Sequence, residues 1–160
     1  PVMSVHEGVE KTVRKLNEQY DHVIVDSGGY DSLAMREALV VADVALIPTK
    51  ATQSDAWELG DSMALKVLEA KKANHALRPI VVVNASPTHY RDTDAQEIIA
   101  AIKRGGVFSV AGHAIADRKS WRTTLGTGTA VTELHDAKAK VEIGQLLWEI
   151  GHEPCKSAAA

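Results

Sequence analysis

The sequence predicts an α/β fold, a parallel sheet flanked by helices, and three observations carry that expectation. Short apolar runs recur at residues 23–25, 44–47 and 80–83, without alternation, as in strands covered on both faces, and 107–110 reads as a fourth strand. Between them lie stretches whose apolar residues repeat at helical spacing, and strands alternating with helices imply right-handed crossovers and a parallel sheet. The first run ends on a carboxylate, Asp26, followed by Ser27, Gly28 and Gly29. In open α/β sheets the ligand crevice lies beyond the carboxyl ends of the strands, and glycines there let the backbone approach a bound group closely. Asp26 is therefore a candidate to face a metal-bound phosphate, with the amides of residues 27–29 as anion donors.

Taken in order, Ser4 and Glu7 fit a capping box for a helix running through Gln19, with Val5, Val9, Val13 and Leu16 on one face. The strand over 23–25 follows. Ser32 can cap a helix over 33–41, and a buried strand over 44–47 is closed by Pro48. After a polar loop at 49–54, residues 55–73 form the longest helix, with Trp57, Met63, Leu65 and Leu68 available to the core. A strand at 78–83 ends at Asn84, and Ser86-Pro87 turns the chain toward a helix over 94–104, stopped by Gly105-Gly106. A fourth strand covers 107–110. A short helix over 118–125 stops at Gly126, and a last amphipathic helix over 137–150 is capped by Asp136.

Composition bounds function before motifs do. A chain of 160 residues, 45% hydrophobic and 4% aromatic, suits one domain with an aliphatic core. A net charge of -3 argues against a wholesale nucleic-acid binder, although a local basic patch is compatible with it. No apolar run is long enough to span a bilayer and no signal segment opens the chain, so a cytoplasmic protein without membrane contact is expected. The single cysteine, Cys155, excludes a disulfide within one chain. The start at Pro1 and the closing KSAAA lead us to expect a cut or processed piece, one domain over 1–151 with a disordered tail over 152–160.

A nucleotide site needs an acid for magnesium, a phosphate cradle with its lysine, and a base pocket. Asp26 supplies the first, and Asn84 with Pro87 can hydrogen-bond and wall a purine. The cradle is missing, because no G-x-x-x-x-G-K-[ST] occurs in the chain. Its nearest lookalike, Gly8 to Thr12, has Glu10 where the loop needs glycine and lies in a helical pattern; residues 124–129 are glycine-rich without lysine and read as a flexible loop. Seven histidines are scattered with no two at i,i+4, which is no zinc pattern. Arg118, Lys119 and Arg122 surround Trp121 in one basic cluster, read either as a patch for non-specific DNA or as a solvated helix face with Trp121 turned inward.

The segments YDHVIVDSGGYDS, REALVVADVALIPTKATQSDAWELG and ADRKSWRTTLGTGTAVTEL, in that order, resemble the later part of the ParA/MinD-type partition ATPases, the small plasmid-encoded ones above all. The resemblance covers residues 20–150 and implies a P-loop NTPase-like fold, here partial with its first strands missing. It implies that Asp26 is the Walker-B catalytic acid, holding magnesium through water, and that Ser27, Gly28 and Gly29 stand where the γ-phosphate is sensed, although many members have prolines there. Asp55 matches an acidic position in the loop after the Ile-Pro strand, and the region from Asn84 to Pro87 matches the one that holds adenine. The implied cofactors are ATP or ADP with magnesium, and the implied partners are a second copy, a centromere-binding ParB-like protein and non-specific DNA of the nucleoid.

The family's deviant Walker-A loop and its lysine have no counterpart in these residues, so this polypeptide alone is expected to hydrolyse little or no ATP, and possible nucleotide binding to it is left open. Without the P-loop strand the strand at 23–25 would be an uncovered apolar edge, through which the chain is expected to self-associate. Two other classes stay open: a non-catalytic interaction module that keeps the fold, and a receiver-like phosphoacceptor built on Asp26 with Thr49 and Lys50.

Overall fold

A computed structural model describes residues 2–28, 31–86 and 93–152, apart from the side chains of residues 93–95 and 152. The central strand is β2 (Arg78–Val83), which pairs in parallel with β1 (Val44–Thr49) on one side and β3 (Ser109–Val110) on the other. Its residues from Pro79 to Val83 are all buried. Side chains alternate across a strand, and the packing follows that alternation. Val81 meets Leu59, Val67 and Ile102 on one face, while Ile80 and Val82 meet Ile115 and Leu146 on the other. The unbroken apolar run is thus explained by helices on both faces of the sheet.

Backbone pairing accounts for the two prolines. Arg78 N–H donates to Asp43 O at 3.0 Å and Asn84 N–H donates to Thr49 O at 2.7 Å, so odd residues of β1 and even residues of β2 face each other. The backbone groups of Val44, Leu46 and Pro48 consequently point away from β2, toward an edge that no described strand covers. Pro48, which lacks an N–H, sits inside β1 at no cost on that open side, extending the strand beyond the predicted end at residue 47. Pro79 faces the β3 side, one residue before pairing begins at Ile80 and Ser109.

The helices that carry these layers begin with α1 (Val9–Asn17), which starts four residues later than the Ser4 box predicts. Gly8 caps it at φ 69°, a left-handed conformation that glycine adopts freely. Ser32 caps α2 (Leu33–Val41) as expected, its hydroxyl accepting Met35 N–H at 3.2 Å. Residues 53–73 form one helical rod in three pieces: α3 (Gln53–Glu58), a π-helical turn (Leu59–Met63) and α4 (Ala64–Ala73). Beyond β2 come α5 (Thr93–Arg104), α6 (Lys119–Thr127), a 3-10 turn (Val131–Glu133) and α7 (Ala137–His152). Residue 152 therefore belongs to α7, and the expected tail from residue 153 lies outside the described residues.

Several expectations are corrected. Residues 22–28 form no strand; Ile24 is 93% exposed and Val25 42%, and among the described residues 21–28 make no backbone hydrogen bond. An apolar run becomes a strand only where it pairs, and this one does not pair with the open edge of β1. On the long rod the inward residues are Leu59, Ala64, Val67 and Ala70, with Met63 packed beside them. Trp57, Leu65 and Leu68 face out, Trp57 at 63% exposure. The fourth strand shrinks to Ser109–Val110, although Val107 and Phe108 still pack on the core. Helix α6 runs on to Thr127 and ends at Gly128 (φ 66°), so residues 124–127 are helix rather than loop.

Polar side chains fasten the helix ends. Asn74 Nδ2 donates to Ala42 O at 2.8 Å and Leu39 O at 3.2 Å, satisfying carbonyls at the end of α2. Arg78 does the same for α7, donating to Ile150 O at 3.1 Å and Glu149 O at 3.3 Å. No helix among the described residues is long and apolar enough to cross a membrane.

Candidate functional site

The carboxyl ends of β1 and β2 open into a cleft of about 580 Å³, lined by Pro48, Thr49, Lys50, Thr52, Ser54, Asp55, Asn84 and Ala85. It lies at the carboxyl ends of the strands, the end at which open parallel sheets bind ligands. Its size is that of a small-molecule or cofactor site. One wall is the loop after β1 with the start of α3. There Thr52 and Asp55 form a reciprocal cap: Asp55 N–H donates to Thr52 Oγ1 at 3.3 Å, and the Thr52 hydroxyl donates to Asp55 Oδ2. The Ser54 hydroxyl lies 3.0 Å from that of Thr52. Thr49 is buried and its hydroxyl donates to Lys50 O at 3.2 Å.

The opposite wall is the turn after β2. Asn84 is tied to β1 through its backbone, and its side-chain Oδ1 accepts Ala85 N–H at 2.9 Å. Ser86 N–H donates to Ile115 O at 3.0 Å and Asp117 N–H to Ser86 O at 2.9 Å, which joins this turn to the segment entering α6. The structure therefore brings together Asp55 and Asn84, read independently from the sequence, across one cleft. Lys50 was read only for a phosphoacceptor, Ala85 only within the stretch from Asn84 to Pro87, and Thr52 and Ser54 only as part of a polar loop. The one signal for them was a polar loop directly after a strand.

Asp26, Ser27 and Gly28 are exposed, outside the cleft's lining, and Asp26 makes no hydrogen bond or ion pair among the described residues. Gly29 and Pro87 lie outside the described residues. The cleft offers an amide, hydroxyls and the Asp55 carboxylate, which suit the polar edge of a nucleobase, whereas among the described residues no three acidic, His or Cys side chains gather to hold a metal and Asp26 stands outside the cleft. The groups in the cleft do not fit a triphosphate cradle, for which the residues supply no glycine loop with lysine.

The basic cluster is split by ion pairs. Arg118 is held by Glu142 of α7, with its Nε 3.1 Å from Oε1, and Glu142 Oε2 also accepts Ala116 N–H at 3.3 Å. The hydrogen bond to Glu142 raises the pKa of that guanidinium above its ordinary value. Arg122 pairs with Asp117 at 2.6 Å on the surface, and Lys119 is exposed. Trp121 turns inward, against the cluster containing Ile80 and Val82, with Nε1 buried and without a hydrogen-bond partner. A second carboxylate, Glu149, accepts Gly112 N–H at 3.0 Å and lies 3.2 Å from His113 Nδ1, so α7 holds the 111–118 loop at both ends.

No protein-family model matches the chain. No curated protein matches it either. Among solved structures it is similar to apo McdA of Cyanthece, with a TM-score of 0.73 at 18% sequence identity over 89% of this chain. The matched region is 58% of that structure, so the chain spans little more than half of its length. A likeness at this level of identity is one of architecture: the parallel sheet flanked by helices is a ParA-like, P-loop NTPase-like α/β fold.

Proposed function

We propose that the chain is part of a ParA-like ATPase that drives plasmid or chromosome partition through an ATP-dependent switch. The observation that carries this reading is the cleft beyond β1 and β2, where Asp55 and Asn84 meet on a ParA-like fold. In this reading the base lies against Asn84 and Ala85, and Asp26 holds magnesium through water beside Ser27, Gly28 and Gly29. The residues that cradle the phosphates are not among these 160, so hydrolysis by this polypeptide alone is negligible. The partners that belong to the reading are a second copy of the chain, a centromere-binding ParB-like protein, and non-specific DNA met by Lys119 and Arg122 with Arg118 behind them.

The test is calorimetric ATP binding with magnesium, on these residues and on the chain with any residues its reading frame encodes ahead of Pro1. Binding that Asn84→Ala and Asp55→Ala both weaken is the expected result. Binding in neither form leaves a non-catalytic interaction module, and labelling of Asp26 by an acyl phosphate leaves a receiver-like phosphoacceptor.

A further inference from the structure

The segment after β3 follows β2 beyond the regular ladder, but in a broken register. Ala111 N–H donates to Val81 O at 2.9 Å and Ile115 N–H to Val83 O at 2.8 Å, so four steps along one chain answer two along the other. Residues 112–114 are looped out as a bulge. Ile115 then brackets the cleft wall, because its N–H meets Val83 O while its carbonyl accepts Ser86 N–H at 3.0 Å. In a regular parallel pair these two groups meet residues two apart. Here they meet residues three apart, so Asn84 and Ala85 bulge in turn, and Ala85, at φ 52°, redirects the chain after its own nitrogen to bring Ser86 back.

Helix α7 holds the looped-out residues. The Glu149 carboxylate accepts Gly112 N–H with both oxygens, at 3.0 and 3.2 Å, and lies 3.2 Å from His113 Nδ1. Its side chain is only 18% exposed, so little water can stand in for these donors. The fit is close: a Cβ on Gly112 would come within 3.0 Å of Glu149 Oε1. The carbonyl of the same residue accepts from Arg78 at 3.3 Å, which ties Glu149 to the start of β2. Two helical turns earlier on the same face, Glu142 accepts Ala116 N–H at 3.3 Å and holds Arg118.

We propose that Glu149 is a positioning residue of the cleft: by holding the 112–114 bulge it fixes the register in which Ile115 clasps the Asn84–Ala85 wall. No residue of α7 lines the cleft, so the effect passes through backbone hydrogen bonds alone. The register stands independently of any ligand, whereas its consequence for ATP rests on the nucleotide reading.

Amide hydrogen exchange, read residue by residue, and ATP binding test this together. In Glu149→Ala the Ser86 amide exchanges about tenfold faster or more, while the Asn84 amide, bonded to Thr49 of β1, keeps its protection. ATP affinity falls by about threefold to tenfold. Glu149→Gln keeps an acceptor oxygen for Gly112 N–H and restores both values. Gly112→Ala displaces the carboxylate and reproduces the Glu149→Ala values, and the double variant adds little to either single change. Unchanged Ser86 exchange in Glu149→Ala, equal acceleration at Asn84 and Ser86, losses that add in the double variant, or ATP affinity that stays fixed while Ser86 exchange rises each overturn the proposal. Absence of ATP binding by the unaltered chain overturns the nucleotide reading instead, and the Ser86 exchange then still decides the register.

Discussion

Asp26 has solvent around it and no partner among the described residues, so its carboxylate contributes little to holding the fold. Asp26→Asn is expected to change stability by less than about 0.5 kcal/mol while removing the magnesium dependence of ATP binding. Equal loss with and without magnesium would point to misfolding. Asp136 behaves in the opposite way. The Ala139 N–H first, and the Ser120 hydroxyl next, hold its pKa below the ordinary carboxylate value. A group depressed in the folded state stabilises above its unfolded pKa and loses that contribution as pH falls through the folded one. Acid titration should therefore show a loss of stability beginning below about pH 4 that Asp136→Asn lacks. Charge reversal at Lys119 tests DNA contact cleanly, as a lost salt slope of affinity; at Arg122 the change also sets a carboxylate against Asp117, and at Arg118 it strands Glu142 and unsettles the α6–α7 contact.

Single elements were legible wherever a local cap and the packing agreed. Ser32 before α2 is such a case, and Ser32→Ala is expected to cost about 1 kcal/mol in denaturant unfolding. Leu77, 2% exposed beneath α2 and α4, should cost about 3 kcal/mol on truncation to Ala. The α3–α4 rod was misread for a physical reason. Its π turn resets the helical phase between Trp57 and Leu65, and small residues, Ala64 and Ala70, fill the close side while larger ones face out. A uniform helical period counts size and misses both effects. The run at 22–28 was misread because sequence shows an apolar strand former but not whether the chain brings it against a strand edge. In the candidate site, the amide of Asn84 was readable as a residue type at a strand end and Asp55 only through the family resemblance, whereas the left-handed Ala85 beside Asn84 carries no mark in the sequence.

At the scale of the molecule, the alternation of elements fixed the fold class, and the cleft lies at the carboxyl ends of two neighbouring parallel strands. The same order leaves β1 uncovered, and the exposed segment at 22–26 is an apolar stretch with unpaired backbone. The proposed self-association joins these two features between copies. Light scattering at rising concentration should show a dimer that Ile24→Lys returns to monomer, whereas a monomer throughout would remove the idea. Pro48 governs how far such a seam can run. A visiting strand finds rungs at Val44 and Leu46 but a missing donor at Pro48, next to the ligand mouth, so the zip closes at its far end and frays beside Thr49. The proposed self-association and ligand entry would thus draw on different stretches of the same backbone, and neither would have to wait for the other.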